Sequence, residues 1–322
     1  MRKITLGRTN VSVSAISLGT WSFGGPNMSG KRAVGWGGQD DVDSQSALVR
    51  AWELGINHWD TADVYGEGRS EQVIGAVWTT IPRKDIFLAT KVGWDKGPYN
   101  KWYNPAHMKN KLEKSLKNLK TDCLDLTYLH HCDFGKNGEL FDEAIETIQN
   151  FKKEGKTKFI GLSDWSLKNI MKYADRCDPD VIQPYRNLMD DSYESSGLKK
   201  YIDENNLGVC FFSPIKHGLL TGKYKQAVKF ESGDFRSNIK DFSNQKILDT
   251  MSLNKTKLKQ RFCEHPNPVM HGVVDALFTD SPTGCALLGQ RNLDQVEVAA
   301  TLGEVLNKED SNWVKSLYKN LI

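Results

Sequence analysis

Residues 124–163 read LDLTYLHHCDFGKNGELFDEAIETIQNFKKEGKTKFIGLS, and this stretch decides the fold. It begins with a short apolar run, Leu124–His130, and ends with another, Phe159–Ser163. Between them, apolar residues recur at spacings of three and four from Phe141 to Phe151, which is typical of an amphipathic helix. A strand, a helix and a second strand in succession predict two parallel strands joined by a right-handed crossover.

The same alternation of short apolar runs and amphipathic segments repeats along the whole chain. The predicted strands are Ser14–Gly19, Ile56–Asp60, Ile86–Lys91, Leu124–His130, Phe159–Ser163, Val181–Gln183, Val209–Ser213 and Ala286–Gly289. Eight strand–helix units in a chain of 322 residues predict a (β/α)₈ barrel.

The alternative α/β fold is a doubly wound open sheet, which carries G-x-G-x-x-G between its first strand and helix when it binds a dinucleotide. The glycine-rich pieces of this chain are Gly35-Trp36-Gly37-Gly38 and Gly66-Glu67-Gly68. Neither joins a strand to a helix in that pattern, so the barrel is favoured.

Two segments lie outside the eightfold pattern. Met1–Val13 holds two short alternating strings around a turn sequence at residues 7–10, which predicts a β-hairpin at the bottom of the barrel. The polar stretch from Tyr224 to about Phe262 follows the seventh strand, where a barrel has a loop on its active face. We find no linker or internal repeat, so we predict one domain over residues 1–322.

Composition excludes several classes of protein. The 43 Lys and Arg residues nearly balance the 40 Asp and Glu, and a net charge of +3 predicts neither a nucleic-acid nor a membrane partner. Met1–Leu18 lacks the continuous apolar stretch of a signal peptide, and no run approaches the ~18 apolar residues of a membrane span. Six scattered cysteines favour reduced thiols and a cytoplasmic location. The oligomeric state stays open.

Chemically capable side chains close three consecutive predicted strands. The second strand runs into Asp60-Thr61-Ala62-Asp63-Val64-Tyr65, the third ends at Lys91 and the fourth at His130. In a barrel these strand ends point at one rim, where active sites lie. A buried ammonium needs a partner, and Asp60 on the neighbouring strand is the natural partner of Lys91.

These four groups suit the reduction of a carbonyl. Hydride addition places negative charge on the carbonyl oxygen, so the reaction needs a proton donor and hydrogen-bond stabilisation. We predict that Tyr65 is the acid and that Lys91, held by Asp60, lowers the phenol pKa. His130 then orients the carbonyl oxygen.

The chain resembles the aldo-keto reductase superfamily over nearly its whole length. The motifs that carry this resemblance are Gly55–Gly66 with Ser70, Glu71 and Gly75, the strand of Lys91, Asp125–His130, Gly155–Ser163 and Ser213–Tyr224. The last of these is similar to the cofactor loop of the bacterial sugar- and inositol-linked branches. Five motifs in order at barrel spacing make the resemblance strong.

The resemblance implies NADP(H) bound in an extended pose over the barrel mouth and a small carbonyl or sugar-like substrate. It implies nicotinamide carboxamide contacts from Ser163 and Gln183, with Asp164 beside them. It places Ser213 and the backbone from Leu219 to Thr221 at the pyrophosphate. Further cofactor contacts implied are Gly19, Thr20 and Trp21 at the first strand, and Gly289, Arg291 and Gln295 at the adenosine end. There Arg291 could meet a 2′-phosphate.

Some positions depart from the family pattern. Asp164 replaces a common Asn, and a carboxylate would favour the positively charged oxidised nicotinamide over the neutral reduced ring. The residue that covers the nicotinamide is either Tyr185 or Arg186, depending on register. His131-Cys132 replaces Trp-Pro, and Ala299 replaces an adenine-side Asn.

Three other functions fit parts of the sequence. A metal site in residues 130–133 is disfavoured because neighbouring strand residues point to opposite faces, so we interpret His131 as a packing residue. A Schiff-base lyase would use Lys91 as a nucleophile, but Asp60 would keep that amine protonated. A cofactor-binding regulatory subunit acting through a protein partner is the main alternative, although such a subunit need not keep a proton donor.

Overall fold

Eight parallel strands close into a barrel in the computed structural model, which describes residues 1–190, 192–319 and 321. The barrel strands are β1 (Ile16–Gly19), β2 (His58–Asp60), β3 (Phe87–Val92), β4 (Leu124–Leu129), β5 (Thr157–Asp164), β6 (Val181–Pro184), β7 (Gly208–Phe211) and β8 (Cys285–Gly289). Each pairs with its neighbours in chain order, and β8 pairs with β1. The predicted (β/α)₈ barrel is confirmed, and the open sheet is excluded.

Helices surround the barrel, and the longer ones bury an apolar stripe. They are α1 (Asp41–Glu53), α2 (Arg69–Gly75), α3 (Pro105–Leu119), α4 (Phe141–Lys153), α5 (Leu167–Cys177), α6 (Ser192–Ser195), α7 (Leu198–Glu204), α8 (Gln245–Arg261), α9 (Pro268–Met270), α10 (Leu293–Ala300) and α11 (Lys308–Tyr318). Side-chain caps begin several of them: Asp40 accepts from two backbone N–H groups of α1, and Ser166 accepts from one of α5. Among the described residues, no helix is both long enough and apolar enough to cross a bilayer.

The N-terminal hairpin is present and covers the floor of the barrel. Its antiparallel strands are Lys3–Thr5 and Ser12–Ser14. The fully buried Leu6 packs against Gly208 at the start of β7, and a Cβ on Gly7 would collide with the backbone there. Gly7 also has a φ of +48°, so only glycine suits this contact.

The loop after β7 is present but ends earlier than the sequence suggested. Residues 212–244 form a loop with short 3₁₀ turns, and α8 then occupies most of the stretch up to Phe262. This helix buries Ile247, Leu248, Met251 and Leu258 at helical spacing in a second apolar cluster outside the barrel. The run of polar residues from Asn254 to Lys257 interrupts the apolar pattern in the sequence.

Candidate active site

The four predicted catalytic side chains meet at the mouth of the barrel. Asp60 ends β2, Lys91 lies near the end of β3, and His130 follows β4 directly. Tyr65 stands in the loop after β2, where its neighbour Gly66 has a φ of +59°.

Two glycines fix the loop that carries Tyr65. A Cβ on Gly24, in the loop after β1, would lie 2.6 Å from the Gly66 nitrogen. A Cβ on Gly66 would in turn collide with the Gly24 carbonyl oxygen. The two backbones therefore touch with no room for a side chain, and this contact sets the position of the phenol.

Lys91 is the centre of the hydrogen-bond network. Its Nζ donates to Asp60 Oδ1 at 2.5 Å, to the Thr61 carbonyl oxygen at 2.8 Å and to Tyr65 Oη at 3.2 Å. An ammonium has three donors, so all are used. Lys91 and Asp60 are both 1% exposed. A fully engaged ammonium has no free electron pair, which disfavours the Schiff-base alternative.

Ser163 and Gln183 extend the network to the strands opposite. Gln183 Nε2 donates to Asp60 Oδ2 at 2.8 Å, and Ser163 Oγ donates to Gln183 Oε1 at 3.1 Å. The Asp60 carboxylate thus accepts hydrogen bonds from Lys91 on one side and from Gln183 on the other. The sequence linked Ser163 and Gln183 to a cofactor, but it gave no sign that they contact the catalytic pair.

Burial and charge set the protonation states. Burial raises the pKa of Tyr65 above its usual value, and the Lys91 ammonium offsets this only in part. Lys91 lowers the phenol pKa as predicted, but burial outweighs the cation, so the net pKa of Tyr65 is raised. For Lys91, burial lowers the pKa, but Asp60 and Tyr65 raise it by more. At neutral pH the pair is a phenol beside an ammonium.

His130 is a neutral imidazole at neutral pH. Burial and the Lys91 ammonium lower its pKa well below the ordinary value. Its ring lies edge-on to Tyr65, with centroids 5.8 Å apart. Its Nδ1 is buried without a hydrogen-bond partner among the described residues. A neutral ring has one N–H to donate, which suits a carbonyl oxygen between His130 and Tyr65.

A cleft of about 1370 Å³ opens above these groups and extends across the barrel mouth. It is lined by every predicted site residue except one: Gly19, Thr20, Trp21, Asp60, Tyr65, Lys91, His130, Ser163, Asp164, Gln183, Ser213, Thr221, Gly289, Arg291 and Gln295. The exception is Leu219, which is fully buried in the second apolar cluster. Its neighbours Gly218 and Thr221 reach the cleft instead.

Tyr185, rather than Arg186, faces the cleft. The Arg186 guanidinium points away from it, donates to the Leu277 carbonyl oxygen at 3.1 Å and stacks 4.2 Å from the Tyr193 ring. Arg186 is 4% exposed. Of the two alternatives left by the sequence, Tyr185 alone offers a face to a ligand.

Asp164 is held by two backbone groups. Its Oδ2 accepts from Cys132 N–H at 2.5 Å and its Oδ1 from Ser166 N–H at 2.6 Å. Burial raises the pKa of Asp164, and these hydrogen bonds oppose the shift. Position 164 is therefore tied directly to position 132, another departure from the family pattern.

Arg291 is hydrogen-bonded to the loop after β1. Its Nη2 donates to the Gly37 and Gly38 carbonyl oxygens at 2.6 and 2.5 Å, and its Nε donates to Gln39 Oε1 at 2.8 Å. The loop after β7 joins the same place, because Gly37 N–H donates to Asp234 Oδ2 at 3.1 Å. The far end of the cleft is thus built from three loops.

One wall of the cleft is aromatic, and its residues were not predicted from the sequence. Trp165, His217 and Phe235 all line it, and Trp165 stacks on Phe235 with centroids 6.0 Å apart. Trp165 follows the end of β5, and that position could have revealed it. Phe235 lies mid-loop with no local signal.

His131 packs, as predicted, inside a cage of aromatic rings. Its centroid lies 4.7 Å from Trp94, 5.1 Å from Trp102 and 4.8 Å from Tyr103. Its Nε2 lies 3.1 Å from the Gly93 carbonyl oxygen, within hydrogen-bonding distance.

Comparisons with known proteins agree with this geometry. A model of the Aldo/keto reductase family matches residues 15–317. The chain is 28% identical to the aldo-keto reductase YhdN of Bacillus subtilis, over 100% of this chain and 95% of that protein. It is 34% identical to the oxidoreductase YqkF of the same bacterium, over 69% of this chain and 68% of that protein.

Among solved structures, the glycerol dehydrogenase AKR11B4 from Gluconobacter oxydans superposes with a TM-score of 0.80 at 27% identity. The match covers 98% of this chain and 94% of that one. Fold and sequence together define the class, an oxidoreductase built on a (β/α)₈ barrel. The chain belongs to the aldo/keto reductase family.

Proposed function

We propose that this protein is an NADP(H)-dependent oxidoreductase that interconverts carbonyls and alcohols, with Tyr65 as the proton donor and acceptor. One observation carries the proposal: the buried Lys91 ammonium joins Asp60 at 2.5 Å and Tyr65 at 3.2 Å at the foot of an open cleft. A phenol held by a cation can lose and regain its proton, which is what reversible carbonyl reduction requires.

The cleft has features that fit a nicotinamide coenzyme. The Tyr185 ring and the 40% exposed Trp165 give flat aromatic surface beside the polar pair Ser163–Gln183. At the other end, a Cβ on Gly289 would have no atom within 4 Å, so the backbone there is open to a ligand. The residues that would hold the coenzyme are Gly19, Thr20, Trp21, Ser163, Asp164, Gln183, Tyr185, Ser213, Thr221, Gly289, Arg291 and Gln295.

When bound, the coenzyme supplies the hydride or accepts it. Tyr65 donates its hydroxyl proton to the carbonyl oxygen as that oxygen becomes negative, and takes the proton back in the reverse direction. Lys91 stabilises the phenolate left behind, and Asp60 keeps Lys91 charged. The neutral His130 donates a hydrogen bond to the same oxygen.

The substrate half of the cleft combines apolar faces with charged groups. Trp21 stacks near Tyr65 with centroids 5.9 Å apart, and Trp94, which is 38% exposed, lies 5.5 Å from His130. Asp95 and Lys111 line the same end and pair at 3.2 Å. This mixture fits a short carbonyl compound that carries hydroxyl groups, such as a sugar-like aldehyde or ketone.

A substrate screen tests the proposal. Aldehydes, ketones and polyols are assayed in both directions by the absorbance of the reduced nicotinamide, with NADPH and with NADH. The Tyr65→Phe variant should lose about 10²–10⁴-fold in kcat, the usual contribution of a general acid, while it binds NADPH almost as tightly as the unaltered protein.

Turnover retained in Tyr65→Phe would contradict the role of the phenol. Tight NADPH binding with no turnover on any carbonyl would contradict the proposal and favour the regulatory subunit.

A further inference from the structure

Three soft ligand side chains meet inside the barrel beneath the catalytic network. They are His58, the first residue of β2, Cys210 of β7 and Cys285, the first residue of β8. Since His58 lies two residues before Asp60, it points into the barrel on the same face but deeper. All three are fully buried, and their ligand atoms lie within 4.8 Å of one another. The proposed reaction uses none of them.

The spacing of these atoms suits a shared ion. Cys285 Sγ lies 3.4 Å from His58 Nδ1. Zinc binds sulfur at about 2.3 Å and histidine nitrogen at about 2.0–2.1 Å, so two such ligands at a tetrahedral angle are roughly 3.5 Å apart. The Ser14 carbonyl oxygen, 3.4 Å from Cys285 Sγ, is a fourth group within reach.

The histidine ring is free to bind a metal through Nδ1. His58 Nε2 is buried without a hydrogen-bond partner among the described residues. The polar contact of the ring is therefore the one that Nδ1 makes with the Cys285 thiol. A proton on Nε2 leaves the Nδ1 electron pair directed at the thiols, which is the form that binds a metal.

Charge also favours a divalent ion at this place. Two thiolates would balance the charge of Zn²⁺, so the assembled site would be neutral and would avoid the cost of a buried net charge. Binding would release the two thiol protons.

We propose that His58, Cys210 and Cys285 bind one Zn²⁺ ion inside the barrel, with the Ser14 carbonyl oxygen next to it. The ion ties strands β2, β7 and β8 to the end of the N-terminal hairpin. Its role is structural, because the site is closed to solvent and lies apart from the cleft.

The test measures metal in the intact protein. The full chain is produced in zinc-supplemented medium, purified under reducing conditions without chelator, and analysed by elemental mass spectrometry. We expect one zinc ion per chain. Refolding with Co²⁺ should give the intense near-ultraviolet absorption of cobalt–thiolate bonds. Cys285→Ser and Cys210→Ser should each lose the zinc and weaken this band.

Cys177→Ser is the matched control, because Cys177 is also buried but lies on α5 outside the cluster. It should keep both the zinc and the cobalt band. Wild-type protein that contains no zinc and gives no cobalt–thiolate band would overturn the proposal without reference to any variant. A full band that survives in Cys285→Ser would overturn it equally.

Discussion

At the residue scale, the site depends on how completely Lys91 is occupied. Its three donors go to Asp60, Thr61 and Tyr65, so the ammonium cannot turn toward another group without losing a buried hydrogen bond. The phenol is thereby kept beside one fixed positive charge. The pH dependence of the reaction should report this arrangement.

Reduction should proceed at a constant rate through neutral pH and slow only in alkaline solution, because it needs protonated Tyr65 and the pKa of Tyr65 is raised. Oxidation needs the phenolate and should speed up as the pH rises. Lys91→Met removes the cation that lowers the phenol pKa. The alkaline fall of the reduction rate and the rise of the oxidation rate should therefore both move to higher pH. Measurement of kcat in both directions against pH checks this. An unmoved profile, or one moved to lower pH, would exclude Lys91 as the tuning charge.

Asp164 should bias the site toward the oxidised coenzyme. Its carboxylate lines the cleft beside Ser163, and it would attract a positively charged nicotinamide ring. Asp164→Asn should weaken NADP⁺ relative to NADPH by about 0.5–1 kcal/mol, a several-fold change in the ratio of the two Kd values. Fluorescence titration with each coenzyme form measures that ratio. Asn keeps one of the two hydrogen bonds accepted from the Cys132 and Ser166 N–H groups, whereas Asp164→Ala loses both, so the comparison of the two variants separates loss of charge from loss of structure. An unchanged ratio in Asp164→Asn would refute the role.

At the scale of elements, strands were predictable and loop contacts were not. The apolar runs placed the barrel strands within about two residues, since a strand buried on both faces must be continuously apolar. The approach of Asp234 to Gly37 joins loops almost two hundred positions apart, and no local pattern records it. The burial of Leu219 could not be read from the sequence for the same reason, because the turn of its loop buries this residue and leaves Gly218 and Thr221 at the cleft.

Arg291 belongs to this scale because it connects the turn between β8 and α10 to the loop after β1. Arg291→Ala should weaken NADPH about 10–100-fold, as expected for the loss of a charge-assisted contact with the 2′-phosphate, and should affect NADH much less. Gln39→Ala is the matched control, since it removes one loop contact of Arg291 but keeps the charge. It should affect both coenzymes alike. Equal weakening of NADPH and NADH in Arg291→Ala would show that the residue only supports the loop.

On the scale of the whole molecule, the floor and the mouth of the barrel have separate tasks. The hairpin meets the floor at Gly208, whereas the cleft is built from strand ends, loops and helix residues at the opposite end. Stability and catalysis should therefore respond to different substitutions.

Gly7→Ala should destabilise the protein without changing turnover. A side chain there meets the backbone of Leu207 and Gly208, and its φ of +48° adds about 1–2 kcal/mol of strain. Gly30→Ala has a similar φ of +58° but faces open space, so it isolates the strain from the collision. Urea denaturation should show a clearly larger loss of unfolding free energy for Gly7→Ala than for Gly30→Ala. Equal losses of unfolding free energy would mean that the close contact between Gly7 and the start of β7 does not contribute to stability.

The position of the hairpin also determines which end of the barrel a tag or a solid support joined to the amino terminus would face. Met1 packs beside Gly55, just before β2 begins, so the amino terminus emerges at the closed end of the barrel. An affinity tag, a fusion partner or a resin joined there would leave the open end facing free solution. Immobilisation through the amino terminus should accordingly preserve access for both reactants.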